Sequence, residues 1–200
     1  LSDSVMFSGL SMIQDQTSKL KFAYRSAFSV LATISLPSSV FLIIFSEEVV
    51  LILLGDKYLG AIPVVQVLFI GLFMRTIIKL SDAVIRALDR VYIGAFIKFV
   101  YFLFISLFVW IALSEVSFVK SLDLGLTGVA IALVLAVFIQ FMLMTALTLS
   151  ILKVKLSEIL KLIIGPLIIA SVALGICLLT KIGLSYLGFP VFVNIMAGIL

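Results

Sequence analysis

The chain has 200 residues, of which 64% are hydrophobic and only 12% charged, with a mean hydropathy of +1.41 and a net charge of +4. Soluble domains run at about 45–50% apolar and about 25% charged residues, so this composition excludes a water-solvated globule and predicts an integral membrane protein. The basic residues sit at helix ends rather than in one patch, which argues against nucleic acid as a partner. The single cysteine, Cys177, rules out an intrachain disulfide, and the absence of histidine removes the commonest proton shuttle and metal ligand.

In chain order, Val5 to Leu10 reads as the tail of a preceding span and Gln14 to Arg25 as an amphipathic cytoplasmic helix, so residues 1–25 form a lead-in. A first span is predicted over 26–45, long enough for a hydrocarbon core of about 30 Å. Pro37 should kink it, leaving a free carbonyl for Thr33, Ser35, Ser38 or Ser39 to help satisfy. Ser46 reads as the N-cap of a short interfacial helix through Leu54, with Glu47 and Glu48 in its first turn.

The turn Gly55-Asp56-Lys57-Tyr58 leads to a second span over 62–88, with Pro63 near its start, where a missing N–H is harmless. Further spans are predicted over 93–113, 126–152 and 159–180. Lys98 lies one turn inside the third, where it can snorkel, and Trp110 reads as an interfacial residue. Gly165-Pro166 should interrupt the fifth span early. Residues 189–200 begin another span that stops within an apolar run. Leu1 is not an initiator Met, so the chain is expected to be part of a longer protein.

Lysines and arginines alternate between the two sides of this layout. Lys19, Lys21, Arg25, Lys79, Arg86, Arg90, Lys98, Lys153, Lys155 and Lys161 fall on one side, and only Lys57, Lys120 and Lys181 on the other. The richer side is therefore assigned to the cytoplasm. Arg75 falls within the membrane.

The second span carries the feature around which the rest is organised. Arg75, Lys79, Asp82 and Arg86 follow at offsets of 4, 3 and 4. On a helix turning about 100° per residue they share an arc of roughly 60°. An arginine or lysine at mid-bilayer is unfavourable by about 2.5–3.5 kcal/mol on insertion scales. The stripe must therefore face other helices or a wet cavity.

The residues around the stripe carry a resemblance. Glu47 to Ile77, with a turn of Gly55, Tyr58, Ala61 and Pro63, and then Ala87, Leu88 and Arg90 closing a Leu-rich helix, resemble the polysaccharide (O-antigen and exopolysaccharide) flippases. These belong to a superfamily that also holds multidrug and toxin exporters. Gly125, Gly128, Val129 and Ala130 look like the same family, as do Val5-Met6-Phe7 and Leu10-Ser11. Departures are Tyr58 where Trp is common, Asp89 where Gly is common, and Phe7-Ser8 in place of Phe-Pro.

The resemblance implies an all-α, polytopic transmembrane bundle that forms the second lobe (26–180) of a two-lobed, alternating-access transporter in a bacterial or archaeal cytoplasmic membrane. It further implies an N-terminal lobe of the same protein as partner, and a polyprenyl-pyrophosphate-linked oligosaccharide as substrate.

Two readings of each polar group stay open. Arg75 is either a cavity cation for pyrophosphate or acidic sugars, since guanidinium matches phosphate oxygens bidentately, or one half of an intramembrane ion pair. Lys79, Asp82 and Arg86 either form a vestibule for an anionic headgroup or a solvated helix end, with Lys79–Asp82 and Asp82–Arg86 able to pair locally. Gln140 reads as an interhelical polar contact, and Lys153, Lys155 and Lys161 as contacts to membrane lipids. No Ser-His-Asp set, Cys/His metal spacing or phosphate-cradling glycine loop is present, so neither an enzyme nor a cofactor or metal site is expected. A small-cation exporter and a non-transporting membrane protein remain the competing functions.

Overall fold

The computed structural model describes residues 17–113 and 125–186, and every regular element in them is helical. We number the helices α1 (Thr17–Ile44), α2 (Ser46–Leu54), α3 (Ile62–Ile70), α4 (Leu72–Ala87), α5 (Val91–Leu113), α6 (Gly125–Leu152) and α7 (Leu156–Tyr186), with a 3-10 turn at Asp56–Ala61 between α2 and α3. Among the described residues five stretches are long and apolar enough to cross a membrane: Ser18–Ile44, Asp56–Ala87, Val91–Ala112, Leu126–Leu152 and Leu156–Lys181. The chain is an all-α, multi-pass membrane bundle. The expected elements before residue 17 and from residue 189 onward lie outside the described residues.

Several local expectations are revised. The helix that carries the first span does not begin at residue 26 but runs unbroken from Thr17, so the basic residues Lys19, Lys21 and Arg25 lie on the same helix as the span. It also continues through Pro37. The carbonyl that Pro37 leaves free is that of Thr33, four residues back, yet no hydroxyl goes to it. Thr33, Ser35, Ser38 and Ser39 donate instead to the carbonyls of Ser29, Leu31, Ile34 and Ser35, each one turn before itself. Such back-bonding is the geometry open to a helical hydroxyl, because its own side chain points toward the preceding turn. Likewise α7 runs through Gly165 and Pro166 without a break.

Ser46 is not an N-cap. Phe45 precedes α2 and makes no side-chain cap, and the buried Ser46 hydroxyl accepts a 2.9 Å hydrogen bond from Gln66 on α3. The second span tightens at Gly71, where the Gly71 N–H bonds the Leu68 carbonyl three residues back. Gly71 is buried, and a Cβ there would stand at ordinary contact distance, 3.4 Å from that carbonyl and 3.6 Å from Val134 on α6.

The helices pack in a row: α7 on α1, α1 on α3 and α4, these on α6, and α6 on α5. The middle of the row is α4. On one flank, Leu20, Tyr24, Phe28 and Ala32 of α1, spaced every four residues, meet Ile77, Leu80, Val84 and Ala87 of α4 together with Leu149 and Leu152 of α6. On the other flank Ile78 and Ile85 meet Ile97 of α5 and Val137 and Met144 of α6. Edge-on and tilted aromatic contacts run Tyr24–Phe28–Phe73–Phe141 at centroid separations of 6.2, 6.4 and 6.0 Å, stitching α1, α4 and α6 together. Outward-facing Phe96, Phe99, Phe102, Leu103 and Trp110 on α5 are suited to acyl chains.

Candidate functional site

Helix α4 divides cleanly. Ile77, Ile78, Leu80, Ser81, Ala83, Val84, Ile85 and Ala87 are buried, whereas Arg75, Lys79 and Arg86 are exposed and Asp82 is partly so. The uncovered arc of the most enclosed helix in the bundle is thus the charged stripe. Three neighbours leave one side of α4 open, and sequence periodicity places the polar residues on that side.

Within the stripe the partners differ from expectation. Asp82 is the organising group, with its side chain 13% exposed. One carboxylate oxygen takes Lys98 Nζ of α5 at 2.8 Å, and the other takes an Arg86 guanidinium nitrogen at 3.1 Å. Arg86 Nε also donates to the Asp82 carbonyl at 3.4 Å. The Asp82–Arg86 pair forms as its spacing allows. The Lys79–Asp82 pair does not, because Lys98 holds that oxygen. Lys98 is therefore part of the ribbon and not simply a snorkelling residue. Gly94 makes this possible: α5 crosses so near that a Cβ at residue 94 would lie 3.3 Å from Ile85 and 3.7 Å from Asp82 Oδ1. An interhelical pair set by one close crossing has no signature in linear spacing, although an acid on one span and a lysine one turn into the next were visible.

Arg75 and Lys79 make no side-chain hydrogen bond or ion pair among the described residues. The ribbon thus contains the cations Arg75, Lys79, Arg86 and Lys98 against the single carboxylate of Asp82. Gln140 is buried on α6, yet it forms no side-chain hydrogen bond among the described residues, so the expected interhelical contact is not made there. The buried polar contact between spans is instead Tyr24 with Ser81, hydroxyl to hydroxyl at 3.4 Å. Among the described residues no group of three or more His, Cys, Asp or Glu is placed to hold a metal ion.

The charges between α1 and α7 are arranged differently. At one end Glu158 pairs with Arg25 at 3.0 Å and lies 4.0 Å from Lys21, while Lys21 Nζ donates to the Lys153 carbonyl at 3.3 Å. At the other end Lys181 lies 3.5 Å from Glu48 and 4.0 Å from Glu47, and donates to the Ile44 carbonyl at 2.9 Å. These two parallel helices are clasped at both ends, and Glu47 and Glu48 at the start of α2 serve the clasp.

Known proteins resemble parts of this chain. Residues 2–63 match the family model described as "Polysaccharide biosynthesis protein". That similarity covers less than a third of the chain. It agrees with the resemblance carried by Gly55, Tyr58, Ala61 and Pro63. A relative, the lipopolysaccharide biosynthesis protein WzxC of Escherichia coli (strain K12), is 32% identical over 102 residues, which make up 50% of this chain and 21% of that protein. The chain thus spans about a fifth of the relative's length. No solved structure matches it.

Proposed function

We propose that this chain is the second lobe of a transporter that moves a polyprenyl-pyrophosphate-linked oligosaccharide across the cytoplasmic membrane for surface polysaccharide synthesis. The observation that carries the reading is the pair Arg75 and Lys79 on the open face of α4, which has no side-chain partner among the described residues. A cation in that position is unfavourable unless it meets water or an anion. Arginine supplies paired N–H groups to phosphate oxygens and lysine a compact charge, so together they suit a diphosphate. Arg86 and Lys98 extend the positive field toward the cytoplasmic end, while Asp82 holds both side chains and is itself outweighed. Alternating access would expose this face first to one side of the membrane and then to the other. The membrane lipids surround the lobe, and the N-terminal lobe closes the cavity.

A small-cation exporter would need a free acid facing the cavity. Asp82 is the acid on the α4 stripe, and its two oxygens are taken by Arg86 and Lys98, which favours an anionic substrate. The test is Arg75→Ala in cells that depend on the protein for surface polysaccharide. Export should fall at unchanged protein abundance, and a drug-efflux assay should show no transport of ethidium-type cations. Unchanged export would remove the cavity role of Arg75.

A further inference from the structure

A second polar face lies away from the α4 ribbon. Phe22, Arg25, Ser26, Ser29 and Val30 of α1 follow at helix positions i, i+3, i+4, i+7 and i+8, and with Leu162 of α7 they line an open groove of about 480 Å³. Its chemistry is split along the helix. Phe22, Val30 and Leu162 give it apolar walls. The Arg25 side chain stays 40% exposed while one guanidinium nitrogen is on Glu158. The hydroxyls of Ser26 and Ser29 make no hydrogen bond among the described residues, unlike Thr33, Ser35, Ser38 and Ser39 further along the helix, each of which bonds the turn before it. Two free hydroxyls beside an arginine form a donor set without an acceptor.

The depth of that donor set identifies what would meet it. Phe45 and the acidic start of α2 mark the far end of α1. From Ile44 back to Arg25 the helix rises about 28 Å at about 1.5 Å per residue, close to the hydrocarbon thickness of about 30 Å. Arg25 therefore stands at the opposite boundary of the acyl region, level with lipid phosphates, on the side where the basic residues gather. Glu158 is matched by Arg25 and by Lys21, so the clasp stays net positive.

We infer that this groove binds an anionic phospholipid of the surrounding leaflet. The phosphodiester is held by Arg25, Ser26 and Ser29, and one acyl chain lies along Val30 and the outward-facing Ile34. The site is separate from the α4 ribbon and does not depend on the transport reading.

The full-length protein, purified in mild detergent with phosphatidylglycerol or phosphatidylcholine, would be measured by native mass spectrometry. Two variants isolate the groove. Ser26→Leu/Ser29→Leu fills it without touching Glu158, and Arg25→Gln/Glu158→Gln removes both members of the ion pair together. The wild type should retain phosphatidylglycerol roughly fivefold over phosphatidylcholine, the weight of about one cation at an anionic surface. Both variants should bring that ratio close to one, whereas Arg75→Ala should leave it unchanged. Equal retention of the two lipids by the wild type would overturn the inference, as would a preference that persists in both variants. Displacement of phosphatidylglycerol by a polyprenyl diphosphate that the variants no longer bind would also overturn it, by making the groove a substrate site.

Discussion

The α1–α7 seam and the open face of α4 use the same residue types to opposite ends. Around the seam each acid has a basic neighbour from another helix: Glu158 of α7 faces Arg25 and Lys21 of α1, and Glu47 and Glu48 at the start of α2 face Lys181 of α7. On α4 one acid is shared by two cations, and Arg75 and Lys79 are left over. Acids and bases set against each other across a helix contact fix the helices to each other. A surplus of one sign on an uncovered face is available to something that is not yet there. The contrast separates cations that hold the bundle from the cations to which the proposed function assigns the substrate, and each can be challenged separately.

The largest effect should come from the surplus. Arg75→Ala/Lys79→Ala should lower polysaccharide export by about tenfold or more per cation removed, since a hydrogen bond to a charged group contributes roughly 1.5–3 kcal/mol. Surface polysaccharide per cell at matched protein level reads this out, while the melting temperature of the purified protein should hardly move. If stability fell and transport per molecule did not, the two regions would not differ in kind.

Next comes the crossing that brings Lys98 to Asp82. Gly94→Val would press on Ile85 and Asp82 and should destabilise the protein by about 1–3 kcal/mol, the usual range for overpacking. A thermal melt checks it. At the seam, Glu158→Gln should reduce stability by about 1 kcal/mol at most, because the pair is partly exposed, and transport per molecule should be retained. This is the mirror image of the Arg75 result and the sharpest test of the comparison.

The smallest effect concerns backbone. Asp89 follows the end of α4 with φ 55°, and its neighbour Arg90 donates to the Ile85 carbonyl while Asp89 donates to the Arg86 carbonyl, closing the helix in a Schellman turn. The left-handed conformation suits glycine, so Asp89→Gly should stabilise by up to about 1 kcal/mol, again seen in the melt.

That position also shows what could be read without coordinates. Asp89 stood out in the sequence because glycine is common there, and its φ supplies the reason. The α4 stripe was legible because helical periodicity and the unfavourable burial of charge depend on composition and spacing alone. The Asp82–Lys98 pair, the Ser46–Gln66 bond and the Glu158 clasp were not legible. Each joins residues from different helices, and only the crossing geometry brings them within reach. The hydroxyls around Pro37 misled for a related reason: local polar residues were matched to a local vacancy, although a helical side chain reaches its own preceding turn first.

Because α1 and α7 are tied at opposite ends, neither can slide along the other by a helical turn, about 5.4 Å, without unseating Glu158 and Lys181 together. Whatever rocking the bundle undergoes, these two helices should travel as one strut, leaving relative motion to the glycine-bearing contacts of α4 with α5 and α6.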